Sequence, residues 1–213
     1  MHKNNILNLK NWQTALFSDE EMYPRQNANR DEVLKTFTPL AENIVIKLLE
    51  AGDCYLEIAE RYPIARQENT FPSSVLHGLI VEKLSNVEGV RLTKYGKRNS
   101  FINIGSYMVW VKKLDDNYLP WVNETKSSVR RVYQKAEGED VQPVLILGYR
   151  LDQIERISQI QLVYIEGDRH IWAPINLGDI AASSHIVPNE ASKSDEPAVK
   201  VKVGKERHRE KIE

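Results

Sequence analysis

The chain lacks the raw material for several kinds of chemistry. Cys54 is its one cysteine in 213 residues. That excludes an intramolecular disulfide and a zinc site built on paired cysteines. Cys54 follows a helical stretch and is expected to pack rather than react. Long hydrophobic runs are also missing. None approaches the ~20 residues needed to span a bilayer, so no membrane partner is expected. The opening Met-His-Lys-Asn-Asn is polar and has no apolar secretory segment, which makes a cytoplasmic location the expectation. Charge of one sign is absent too. Twenty-nine Lys and Arg stand against 30 Asp and Glu, a net of -1. Nothing global draws the chain to nucleic acid or an anionic surface, although a local basic patch remains open.

Other absences narrow the chemistry further. The glycines stand singly, so no loop cradles phosphates. His2, His77, His170, His185 and His208 form no His-x-x-x-His pair. No metal, cofactor or histidine catalyst is therefore expected. Ser73-Ser74, Ser127-Ser128 and Ser183-Ser184 lack a Gly-x-Ser-x-Gly elbow and read as capping residues. No internal repeat occurs.

What is present is enough apolar residue, 41% of the chain, for one buried core. Residues 1–27 read as an irregular arm whose Trp12, Leu16 and Phe17 offer docking groups. Residues 28–187 read as one α+β domain, and 188–213 as a disordered charged tail almost without large apolar side chains. Val33, Phe37, Leu40, Ile44, Leu48 and Ala51 recur at helical spacing over about 30–51. Thr38-Pro39 is a point where the helix kinks or starts afresh, and Gly52 a C-terminal cap. A helical turn follows at Tyr55–Tyr62. A second helix spans about Pro72–Val87, with Thr70 as cap and Gly89 as stop.

The pattern then changes to strands. Val90–Tyr95 and Ser100–Ile104 flank Gly96-Lys97-Arg98-Asn99 as a hairpin, and Ser106–Leu114 is the strongest strand. A helix inserts at Asn123–Glu137. Pro143–Leu151 contains the continuous run Val144-Leu-Ile-Leu147, which predicts burial on both faces. Gln159–Ile165 alternates, and His170–Ile175 pairs back across Gly167-Asp168. Helices followed by a mostly antiparallel sheet of five to six strands with one inserted helix make an α+β fold.

Two strands end alike: Met108-Val-Trp-Val-Lys-Lys-Leu-Asp115 and Leu147-Gly-Tyr-Arg-Leu-Asp152. Side by side, they would gather Lys112, Lys113, Asp115, Arg150 and Asp152 into one binding surface, suited to phosphate or to a partner's carboxylates. The plainer reading is a strand end charged to deter edge pairing. Two nucleic-acid signals accompany it. Lys94, Lys97 and Arg98 put cations on a hairpin tip beside Tyr95. Asp115 and Asp116, with Glu124 and Lys126, follow the Asp…Glu-x-Lys pattern by which nucleases hold Mg²⁺ and steady a phosphate. That site requires Glu124 and Lys126 on one strand face, whereas Thr125-Lys-Ser-Ser128 also reads as a helix start capped by Asn123.

From Phe71 to Leu177 the chain resembles a family of small uncharacterised bacterial proteins associated with mobile elements. They stand beside helix-turn-helix regulators and ImmA/IrrE-type metallopeptidases. The resemblance rests on Gly89-Val90, Trp110-Val-Lys-Lys-Leu-Asp115, Gly148-Tyr-Arg-Leu-Asp152 and a final hairpin ending in Trp172. It covers about half the chain. The family pattern sets an aromatic directly before Lys-Lys-Leu-Asp. Here Val111 stands there and the aromatic is Trp110, so the residue facing the core is expected to differ. The resemblance implies a setting in regulation or defence on mobile DNA.

The expectation is then a non-enzymatic interaction or regulatory module whose partner is a protein encoded nearby or a second copy of itself. The alternative is a nucleic-acid binder or Mg-dependent nuclease.

Overall fold

The computed structural model of the chain describes residues 23–63, 71–95, 99–122, 125–136 and 141–184. Asn29 opens the first helix, α1 (Arg30–Phe37); its side chain accepts from the backbone N–H of Asp31 and Glu32 at 2.9 and 3.3 Å. Pro39 lacks a backbone donor, and the chain passes through a 3₁₀ turn at Thr38–Leu40 before resuming as α2 (Ala41–Arg61). Gly52 does not cap this helix as its residue type suggested. The helix runs through it: Gly52 keeps a helical backbone and is buried, with a Cβ there at contact distance, 3.4 Å, from the Ile157 side chain. The glycine faces the sheet rather than ending the helix, and the turn expected at Tyr55–Tyr62 is the continuation of α2. The next helix, α3 (Phe71–Leu84), buries Leu76, Ile80 and Leu84. Thr70 lies outside the described residues. Gly89, at φ +84°, turns the chain into the sheet.

Strands β2 (Val90–Tyr95), β3 (Asn99–Ile104) and β4 (Tyr107–Lys113) form an antiparallel meander, preceded in the chain by the two-residue β1 (Tyr23–Pro24). A connection carrying α4 (Lys126–Val132) and β5 (Lys135–Ala136) returns the chain as β6 (Val144–Leu151), parallel to β4. β7 (Ile157–Val163) is antiparallel to β6, and β10 (Ile175–Asn176) closes the edge against β7. The six-stranded order is β10-β7-β6-β4-β3-β2, with β4–β6 its one parallel pair. This is the α+β architecture that the sequence predicts.

Three details depart from expectation. The inserted helix is shorter than Asn123–Glu137, ending at Val132 because Gln134 takes a left-handed φ of +51°. Its cap is Thr125, which exchanges hydrogen bonds with Ser128 in a capping box. Asn123 lies outside the described residues. The late hairpin is only β8 (Ile165–Glu166) against β9 (Arg169–His170), separate from the main sheet; Ile175 instead pairs with Leu162 of β7. Finally, Leu177–Ser184 forms a helix, α5, that the sequence reading did not anticipate.

The sheet has two unlike faces. Helices α1, α2, α3 and α5 cover the first, where Ile102, Ile104, Val109, Val111, Leu145, Leu147, Tyr149, Ile160 and Leu162 are buried. The second carries Trp110, Leu114, Ile146 and Val163 against Val132 of α4 and Ile165. β6 is thus buried on both sides, as its continuous apolar run predicts. Val111 faces the helices and Trp110 the opposite side, which settles which of the two residues before Lys-Lys-Leu-Asp enters the main core. Gln134 pins the second face. Its Nε2 donates to the carbonyls of Val144 and Ile165 at 3.0 and 3.1 Å, and its Oε1 accepts from Val144 N at 3.0 Å.

Candidate functional site

Parallel pairing brings the two similar strand ends together. Lys112 is in register with Gly148 and Lys113 with Tyr149. Leu114 N donates to Tyr149 O at 2.9 Å. The leucine of the first motif then covers the glycine of the second: a Cβ on Gly148 would lie 2.3 Å from Leu114 Cδ1. No side chain fits there without displacing Leu114, which is itself 2% exposed.

The five expected site residues share this region but play different parts. Asp115 shapes the loop that leaves β4: its Oδ1 accepts from the N–H groups of Asn117 and Leu119, both at 2.8 Å. Asp152 does the same after β6, with Ile154 N and Arg156 N each at 2.9 Å. Arg150 meets Asp116, not Asp115, in an ion pair; its second nitrogen donates to Gln159 Oε1 at 3.3 Å. Its guanidinium also sits 5.6 Å from the centre of the Tyr118 ring. Tyr118 holds a left-handed φ of +59°, a costly conformation for an aromatic residue, and the Asp115 turn straps it in place. His170 ties β9 to the same loop, its Nε2–H donating to Asn117 O at 2.9 Å.

The two lysines diverge. Lys113 is exposed, and its carbonyl accepts from Trp121 N at 2.9 Å, so the returning loop runs alongside the end of β4. Lys112 is half-buried on the second face, with its Nζ 4.3 Å from the centre of the Trp110 ring. The Arg131 guanidinium lies 5.2 Å from that same centre. Burial and the Arg131 charge both hold the Lys112 ammonium below the usual lysine range. His77 on α3 is likewise pushed down by burial and then by Lys112.

Of the nuclease set, Asp115 and Asp116 serve the loop and Arg150, and Lys126 opens α4 rather than sharing a strand face. Glu124 lies outside the described residues. Among the described residues, no three His, Cys, Asp or Glu side chains gather to hold a metal ion. Of the basic hairpin, Lys94 is in register with Ser100, while Lys97 and Arg98 lie outside the described residues.

Sequence reasoning overlooked Asp116 as the partner of Arg150, Tyr118 and His170 as loop anchors, and Trp121. It also overlooked Arg131 over Trp110. The last was findable: Trp110 and Lys112 alternate onto one strand face, and an arginine helix follows within the same crossover.

No family model matches the chain, and neither does any curated protein or solved structure. Among the described residues no helix is long and apolar enough to cross a membrane.

Proposed function

We propose that the chain is a non-enzymatic protein-interaction module, and that the end of the β4–β6 pair is its docking end. One observation carries the reading. The connections leaving these two neighbouring strands each hold a large apolar side chain out to solvent, Trp121 at 66% exposure and Ile154 at 61%. Isolated exposed apolar residues are ordinary. Two at one end of a sheet, with Tyr118, Arg150 and Lys113 beside them, supply the aromatic and arginine anchors that dominate protein interfaces. The carboxylates of Asp115 and Asp152 support the reading by fixing the loops that present these groups, which lowers the ordering entropy that binding costs. The resemblance to mobile-element proteins supports regulation or defence on mobile DNA as the setting, with a protein encoded nearby as the partner.

The test is a tagged pull-down from the native cell, using the full chain and the Trp121→Ser, Ile154→Ser double variant. A single stoichiometric protein, captured by wild type and lost with the folded variant, is the expected result. Equal capture by both, or nucleic acid recovered with no protein, overturns the proposal.

A further inference from the structure

The second face of the sheet is covered unevenly. α4 and its neighbours pack over β4, β6 and β7, where Leu114, Ile146 and Val163 are buried. Beyond β4 the same face continues onto β3 and β2. Met108 pairs with Asn103, and Asn103 with Arg91, so these three share a face. Asn103 Nδ2 donates to Thr93 Oγ1 at 2.7 Å on that side. Arg91 and Thr93 are exposed. Among the described residues, this face is open at β2, while Asn103 is half-buried and Met108 buried against Val144.

Its charge is one-sided. The balance between acids and bases across the whole chain does not hold here. On this face β2, β3 and β4 place Arg91 and Lys112 and no aspartate or glutamate, while Lys94 and Lys113 alternate to the other face; α4 contains Lys126, Arg130 and Arg131 and again no acid. The Lys112–Trp110–Arg131 stack stands where the covered half meets the open one. A single cation would satisfy the ring. A second brings repulsion, and among the described residues no carboxylate is paired with Lys112 to offset it. Arg131 is 9% exposed and donates to Ser127 Oγ at 2.7 Å, so its charge is fixed in place.

We infer that the open half of this face binds single-stranded nucleic acid, with backbone phosphates held by Arg91 and Lys112 and with Trp110 and Arg131 positioning Lys112. The spacing argues for a strand rather than a small anion. Arg91 and Lys112 lie two strands and four residues apart, roughly 10 Å across and 13 Å along the sheet. One phosphate does not reach both, and a run of several nucleotides does. A sheet face without a projecting reading helix suits splayed bases rather than a duplex groove.

The test is fluorescence anisotropy of the full chain with a labelled 15-nucleotide oligo(dT), across a salt series. A duplex of equal length and poly-glutamate are the competitors. Binding that falls with salt is expected. Arg91→Gln and Lys112→Gln should each weaken it about five- to tenfold and lower the log–log salt slope by about 0.7. The Trp121→Ser, Ile154→Ser variant should bind as wild type does, which separates this site from the docking end. Thermal melts of both Gln variants establish that the fold survives. Absence of salt-dependent binding overturns the inference, as does wild-type affinity in both Gln variants. Equal competition by poly-glutamate at matched charge also overturns it, in favour of an acidic protein.

Discussion

The two faces of the sheet bury comparable strands by different means. On the helix-covered face, apolar side chains meet apolar side chains, and α2 lies close enough to the strands that a Cβ on Gly52 would be in van der Waals contact with Ile157. On the other face, hydrophobic contact is interrupted by two polar fastenings, the buried Gln134 amide and the Ser128 capping box, and by a pair of cations on Trp110 that adds charge rather than cohesion. A face held by close packing tolerates little change. A face held by specific polar groups can keep its shape while presenting charge. The comparison separates two tasks in this fold: the first face makes the sheet, and the second face with its adjoining strand ends is where the proposed recognition would sit.

The contrast breaks first, and by most, in the core of the covered face. Leu147→Ala removes a fully buried side chain from the middle of β6 and should cost about 3–4 kcal/mol by urea unfolding. A loss under about 1 kcal/mol would show that the helices repack freely and that the face is less tightly held than described. Next comes the junction of the two motifs. Gly148→Ala drives a methyl into Leu114 and should cost about 2–3 kcal/mol, with Leu114 and the Asp115 loop displaced. Amide chemical shifts unchanged through 114–119 would contradict the close approach.

A pH experiment sharpens the same comparison. Tyr149 is 4% exposed on the covered face, and its phenol is pushed up to about 12 by burial and then by Tyr55. Because the folded state holds the proton more tightly than the unfolded chain does, this contribution is complete below pH 10. It fades as pH rises from about 10 through about 12, worth about 2–3 kcal/mol in all. Tyr149→Phe should remove that part of the alkaline decline; an identical alkaline transition in the variant would place the titration elsewhere.

These physical differences also explain what was legible in the sequence. Alternation and β-branched residues marked β3, β4 and β6, and helical periodicity marked α2 and α3, because each has a buried stripe, while β2 was marked by its hairpin pairing with β3. Gly52 misled because glycine signals both a helix end and a close contact, and only the packing of Ile157 decides between them. The helix at Leu177–Ser184 is short, and its burial comes from Leu177 and Ala181 meeting partners distant in sequence. At the site, side-by-side strand ends followed from the matching Lys-Lys-Leu-Asp and Tyr-Arg-Leu-Asp endings. Which carboxylate met Arg150 did not follow, since the Asp115 turn hands that position to Asp116. The direction of Lys112, back over Trp110 rather than out from the strand end, was set by strand alternation and by an arginine that arrives from α4.

The smallest effect bears most directly on the central claim that the second face carries charge for recognition rather than for stability. Lys112→Met keeps a flexible apolar side chain on Trp110 and removes an ammonium that both burial and Arg131 disfavour. Its urea midpoint at neutral pH should equal that of the wild type or exceed it. A loss of about 1 kcal/mol or more would mean that the Lys112–Trp110–Arg131 stack is a structural fastening, and the contrast between the two faces would not stand.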